Sequence, residues 1–184
     1  MKSTLELLPR LSANPWFGAL PLRERRAMLA AAELQRLRPG EMLFRQGDKV
    51  APGAGAFYGL VQGSFKISSL REDGKEAILV VLEAGNWMGE ISLMDGEPRT
   101  HDATALSAAE VLVVPQPAFA ALMEGAPFAR AVAGLLAARV RSLYGMVEDA
   151  ALRSTRARRE SRAARRSALS QRYPPAAILL RPRS

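Results

Sequence analysis

The chain has 184 residues, 48% of them hydrophobic, which suits one domain with a real core plus appendages better than two full domains. It contains no cysteine, and this excludes disulfides, thiolate metal ligation, iron–sulfur clusters and cysteine nucleophiles together. The formal net charge of +8 sits at one end: residues 151–184 hold ten Arg and one Glu (+9), leaving 16 basic and 17 acidic residues in 1–150 (−1), so a charge argument for polyanion binding applies only to the last thirty-four residues.

The first thirty residues lack the apolar core and cleavage site of a signal peptide. No later apolar run approaches the roughly 18 residues of a membrane span. The chain therefore reads as soluble and cytoplasmic, with no membrane partner. The segment 14–34, NPWFGALPLRERRAMLAAAEL, opens with turn residues, places Pro21 near a helix start and continues in good helix formers, which predicts a short N-terminal helix. From LRPGEMLFRQGD (37–48) onward, short runs of apolar and β-branched residues are punctuated by Gly40, Gly47, Gly59, Gly63, Gly74, Gly85 and Gly96, the texture of a sandwich or barrel. The clearest hairpin is SFKISSLREDGKEAILVVL (64–82), with alternation at Phe65 and Ile67 and a tight turn at Asp73-Gly74. Its second strand is apolar at every position from Ala77 to Leu82, which predicts cover on both faces.

After the strand AEVLVVP (109–115) the texture becomes helical, and from Pro127 to Leu152 no interior proline interrupts it. Ala129, Ala133, Leu136, Val140, Leu143, Val147 and Ala150 are spaced alternately four and three, a heptad seam that suits a partner helix. Packing of this stripe on the chain's own β domain is the competing reading. Both can hold, because Leu135 and Met146 lie off the seam.

Between the hairpin and the last strand lies WMGEISLMDGEPRTHDATA (87–105), whose apolar positions are interrupted by Gly89-Glu90, Asp95-Gly96 and an Arg directly after Pro98. A Gly-Glu opening a helical turn leaves backbone N–H groups without intrahelical acceptors, and Arg99 can offer a planar charged fork to two oxygens of one phosphate. Glu90 cannot bind phosphate but can accept hydrogen bonds from a sugar hydroxyl. Amides, arginine and acid together suggest a site for a sugar phosphate. Duller readings remain for each: Arg99 paired with Glu97 or Asp102 on the surface, Glu90 capping the turn, and His101, the single histidine, as a solvated imidazole beside Asp102.

The segments GEISLMDGEPRTHDA (89–103), PGEMLFRQGD (39–48), GLVQGSFKIS (59–68) and EAGNWMGEISLMDG (83–96) resemble the cyclic-nucleotide-binding β-roll of bacterial Crp/Fnr-type transcription regulators, over roughly residues 12–158. The resemblance implies a mainly β fold with flanking helices: an N-terminal helix and double-stranded, jelly-roll-like β-roll in 1–125, a central dimerisation helix in 126–158, and an Arg-rich, unordered tail in 159–184. It implies a cyclic nucleotide, cAMP or a related anion, as ligand. Glu90 then contacts the ribose hydroxyl, Arg99 and Thr100 the phosphate, and the backbone of Gly89, Glu90, Ile91 and Ser92 supplies amides. A homodimer through Ala129, Ala133, Leu136, Val140, Leu143 and Val147 follows, and DNA is the family's partner.

Three departures qualify the resemblance. His101 and Asp102 follow Thr100 where small residues are usual, and the positions that read the base in cAMP sensors fall on Leu143 and Tyr144. The segment from Ser154 to Ser184 carries Arg runs and a Pro-Pro pair but no helix-turn-helix pattern, so the chain reads as truncated or frame-shifted and is not expected to read DNA sequence. The alternative is a non-specific nucleic-acid binder acting through the Arg tail. No catalytic residues are expected, because one histidine without a triad or metal-ligand set supports neither an enzyme nor a bound metal, and neither haem nor an iron–sulfur cluster is anticipated.

Overall fold

The structure, a computed structural model, describes residues 4–51, 53–70, 73–152 and 176–177. A 3-10 turn (Thr4–Leu7) is followed by three α-helices, α1 (Leu8–Ser12), α2 (Pro15–Ala19) and α3 (Leu22–Ala31). Asn14 caps α2 by accepting a hydrogen bond from the Phe17 N–H at 3.0 Å, with Pro15 at the first helical position, and Pro21 starts α3. The single N-terminal helix expected over 14–34 is thus two helices, and it stops early. Glu33 and Leu34 already belong to β1 (Glu33–Leu37), because pairing with the last long strand outweighs the local helix propensity of an Ala-Glu-Leu run.

Eight strands of the main body then form two antiparallel sheets. β1, β8 (Ala109–Pro115), β3 (Ala56–Gln62) and β6 (Trp87–Met88) lie in that order in one sheet. β2 (Met42–Phe44), β7 (Asp102–Ala105), β4 (Ser64–Leu70) and β5 (Glu76–Glu83) lie in the other, which is extended at the β5 edge by the two-residue strand β9 (Ala176–Ala177). This is the β-roll with flanking helices that the sequence led us to expect. Apart from β9, the tail over 159–184, with its expected lack of order, lies outside the described residues.

The period-two alternation of β3 builds two cores at once. Phe57 and Val61 face the helices with Trp16, Phe17, Met28, Leu29 and Phe128, while Tyr58 and Leu60 face the other sheet with Phe65, Leu82 and Val111. Gly59 lies between them where a Cβ would come within 2.7 Å of the Trp87 ring. That space is filled by the indole, which stacks on Phe57 (centroids 5.1 Å apart) and Phe17 (5.5 Å).

The β4–β5 hairpin forms as expected, with Phe65 opposite Leu82 and a positive φ of 77° at Gly74. Its second strand differs from the expectation of cover on both faces. Only Val81 and Leu82 are buried, and Ala77–Val80 are half-buried, because Leu79 and Val80 border a cavity rather than a second packed layer. Downstream, α5 (Gln116–Met123) leads into the long α6 (Ala126–Leu152). Phe128, Val132 and Leu135 of α6 pack into the helix-side core, and the Trp16 indole N–H donates to the Ala131 carbonyl at 2.8 Å. The expected seam turns mostly the other way: Ala133, Val140, Leu143 and Val147 are exposed, and Ala129 and Leu136 are half-buried. Among the described residues no single helix is long and apolar enough to cross a membrane.

Candidate ligand site

The segment from β6 to β7 carries the candidate residues. The chain leaves β6 through Gly89, whose φ of +93° is open to glycine, and enters the short helix α4 (Glu90–Asp95). A Cβ on Gly89 would meet the Ala56 carbonyl oxygen and the Tyr58 ring at 2.9 Å each. α4 ends at Gly96, φ +73°, after which the chain turns back through Pro98 to Arg99.

Arg99 is held on all sides. Its backbone N–H donates to the Asp48 carbonyl (2.9 Å), and its carbonyl accepts from the Gly47 N–H (2.8 Å). The guanidinium donates from Nη1 to the Gly89 carbonyl at 2.8 Å and from Nη2 to the Ala56 carbonyl at 3.4 Å. It lies over the rings of Phe44, 4.6 Å to the centroid, and Tyr58, 5.7 Å. The side chain is buried, and among the described ion pairs none involves it, so pairing with Glu97 or Asp102 on the surface is not its role. Asp102 instead accepts a hydrogen bond from the Gln46 N–H. Burial pulls the Arg99 pKa down from its ordinary value against the opposing pull of Tyr58, Glu90 and Asp48. The same burial raises that of Tyr58.

Glu90 is turned elsewhere. It is fully buried and forms an ion pair through Oε1 with Nη1 of Arg139 on α6. Nη2 of Arg139 donates to the Trp87 carbonyl, while Oε2 of Glu90 has no hydrogen-bond partner among the described residues. Nothing in local sequence pattern pointed to Arg139, forty-nine residues away from its carboxylate partner.

A cavity of about 280 Å³ opens beside these groups. Gly89, Ile91, Ser92, Arg99 and Thr100 line it together with His101, whereas Glu90 does not. The roll contributes Phe44, Ile67, Val80 and Leu82, and α6 closes the other side with Leu135, Arg139, Ser142, Leu143 and Met146. His101 is half-buried here, and burial lowers its pKa from the ordinary value, with the nearby Asp102 opposing. No group of three or more His, Asp or Glu among the described residues could hold a metal ion.

A double-stranded β-roll with a glycine-introduced turn of helix, a buried arginine returning beside it and a long helix packed against it is the architecture of a cyclic-nucleotide-binding domain. Residues 34–126 match the family model described as cyclic nucleotide-binding domain, half of the chain, and the chain belongs to that family. It is 29% identical over 132 residues to the cyclic AMP receptor protein of Thermus thermophilus, a match that takes in 71% of this chain and 59% of that protein. The crystal structure of the Thermus thermophilus catabolite activator protein superimposes with a TM-score of 0.64 at 28% identity, covering 73% of this chain and 62% of that one. The sensor domain of the transcriptional regulator DNR from Pseudomonas aeruginosa gives 0.64 at 26% identity, covering 79% of this chain and 95% of that domain. The homology is thus to Crp/Fnr-type regulators, and the chain spans about six-tenths of the length of the first two relatives.

Proposed function

We propose that this chain is the ligand-sensing module of a Crp/Fnr-type regulator, binding a cyclic nucleotide or a similar anionic effector in the cavity beneath α6. In this reading residues 1–125 are the sensor, 126–158 the relay segment and 159–184 an Arg-rich tail. The observation that carries the reading is Arg99. A buried cation that forms no close ion pair among the described residues, fixed by two carbonyls and two aromatic rings in the wall of a cavity, is an arrangement that waits for an anion. Gly89, Ile91, Ser92 and Thr100 line the same wall and supply the neighbouring polar contacts.

The relay follows from the position of α6. Leu135, Leu143 and Met146 touch the cavity, and Arg139 joins the helix to the cassette, so an occupant displaces the helix or fixes it. The exposed stripe of Val140, Leu143 and Val147 supports a homodimer, through which movement of one helix is felt by its partner. The similarity to a cyclic AMP receptor protein and a transcriptional regulator supports a role in transcription control, exerted in the cytoplasm. Calorimetric titration with cAMP, cGMP and cyclic di-GMP tests the module. Saturable binding that is lost in Arg99→Gln supports it, and binding unaffected by that change removes the anion site from Arg99.

A further inference from the structure

The cavity's own walls narrow the ligand. We infer that the effector is a small organic acid with an alkyl or aryl body, its carboxylate, sulfonate or phosphate held at Arg99, rather than a nucleotide; this rests on the anionic-effector reading above and sharpens it.

Three observations carry the inference. First, Glu90, the acid suited to a sugar hydroxyl, does not line the cavity: it is fully buried and engaged by Arg139. Second, two of the polar side chains that line the cavity, Asn14 and Asn86, are engaged with backbone. Asn14 accepts from the Phe17 N–H and donates to the Gly85 carbonyl, and Asn86 donates to the Glu83 carbonyl. Third, the rest of the lining is mainly apolar, with Ile67, Val80 and Leu82 from the roll and Leu135, Leu143 and Met146 from α6, and its polar members Ser92, Thr100 and His101 sit in sequence beside Gly89 and Arg99 while Arg139 is paired with Glu90. Ser142 is the one hydroxyl that α6 turns to the cavity. A purine placed against the apolar part of these walls would leave ring donors and acceptors desolvated without partners, whereas a hydrocarbon chain or aryl ring leaves none there. Charge recognition at one end and apolar cover elsewhere is the pattern of an amphiphilic acid site.

The test uses the full chain and its own two tryptophans, Trp16 and Trp87, both of which line the cavity and report occupancy by fluorescence. Butanoate, hexanoate, octanoate and phenylacetate are titrated beside hexanamide, cAMP and cGMP. The expected result is an affinity that rises about fourfold for each added methylene until the cavity is full. Hexanamide should bind at least about tenfold more weakly than hexanoate, since a charge-assisted contact is lost. Neither cyclic nucleotide should match octanoate. If cAMP or cGMP binds more tightly than every acid, the inference is overturned while the anionic-effector reading stands. If neither acids nor nucleotides bind, or if hexanamide equals hexanoate, both fall.

Discussion

Arg139, in the middle of the long helix, closes an ion pair on the fully buried Glu90 of the cassette and donates a second hydrogen bond to the Trp87 carbonyl. The pair joins the two elements that would have to move together if the helix senses the cavity. A carboxylate with no exposure depends on its partner far more than a surface ion does.

Arg139→Gln therefore destabilises the fold by roughly 2–3 kcal/mol, below the 3–5 expected for breaking a fully buried pair because the Arg139 side chain is itself 33% exposed. Glu90→Gln in the same background restores part of the loss, since it removes the stranded charge. Urea denaturation of the two single variants and the double variant measures the coupling. Additive losses would show that the pair contributes no interaction of its own.

Gly89 and Gly96 bracket α4, and both have positive φ, +93° and +73°. They differ in space. A Cβ on Gly89 meets a backbone oxygen at 2.9 Å, whereas one on Gly96 meets nothing within 4 Å. Gly96→Ala should cost about 1 kcal/mol from backbone conformation alone, and Gly89→Ala about 2–3 kcal/mol because the Ala56 carbonyl cannot yield cheaply. Equal melting temperatures for the two variants would contradict this.

Arg99→Lys keeps the charge but loses the planar fork and the stacking on Phe44 and Tyr58. Binding of whichever probe saturates the wild type, octanoate, cAMP or cGMP, should weaken by about 1.5–3 kcal/mol. Calorimetry of the variant reads this directly. An unchanged affinity would mean that the anion sits elsewhere.

Val147 is 65% exposed on the outer stripe of α6 and does not line the cavity, so it separates assembly from ligand binding in a way that Leu143, which borders both, cannot. Val147→Glu places a charge that would be desolvated between paired helices. Analytical ultracentrifugation at micromolar concentration should show a wild-type dimer and a Val147→Glu monomer with the same ligand affinity per chain. A wild type that sediments as a monomer overturns the dimer.

His101 has its pKa lowered by burial, so the folded state holds it neutral where the unfolded chain would protonate it. Between the unfolded value of about 6.5 and the lower folded value the unfolded state binds more protons, so stability rises with pH in that window and falls as pH drops through it. His101→Gln should flatten this part of the profile. Melting temperatures of both proteins between about pH 7.5 and 5.5, compared as differences, test it. Parallel profiles would show that His101 does not titrate with folding.

The sequence by itself determined what depends on neighbours a few residues apart. The alternation of Phe65 and Ile67, the Asp73-Gly74 turn, the glycines before and after Glu90–Asp95 and the two-sided pattern of the long helix are local signals. They were enough for the β-roll and for the cassette around Arg99. Their order along the chain also carried the family resemblance that the comparisons then showed. Tertiary structure decided everything set by approach of distant segments. Phe44 and Tyr58 meet over Arg99 because β2 and β3 belong to facing sheets, and neither residue's surroundings in sequence mark it as a cation's partner. β5 reads as a doubly covered strand, yet its middle is half-buried, since periodicity reports how apolar a face is and not whether protein or cavity covers it. Helix propensity carried the N-terminal reading past Ala31, where strand pairing with β8 had already taken over. Arg139 looks like one more solvated arginine on a helix. Only the crossing of α6 over the cassette places it on Glu90, and with that contact the acid is held by the helix while Arg99 remains in the wall of a mainly apolar cavity.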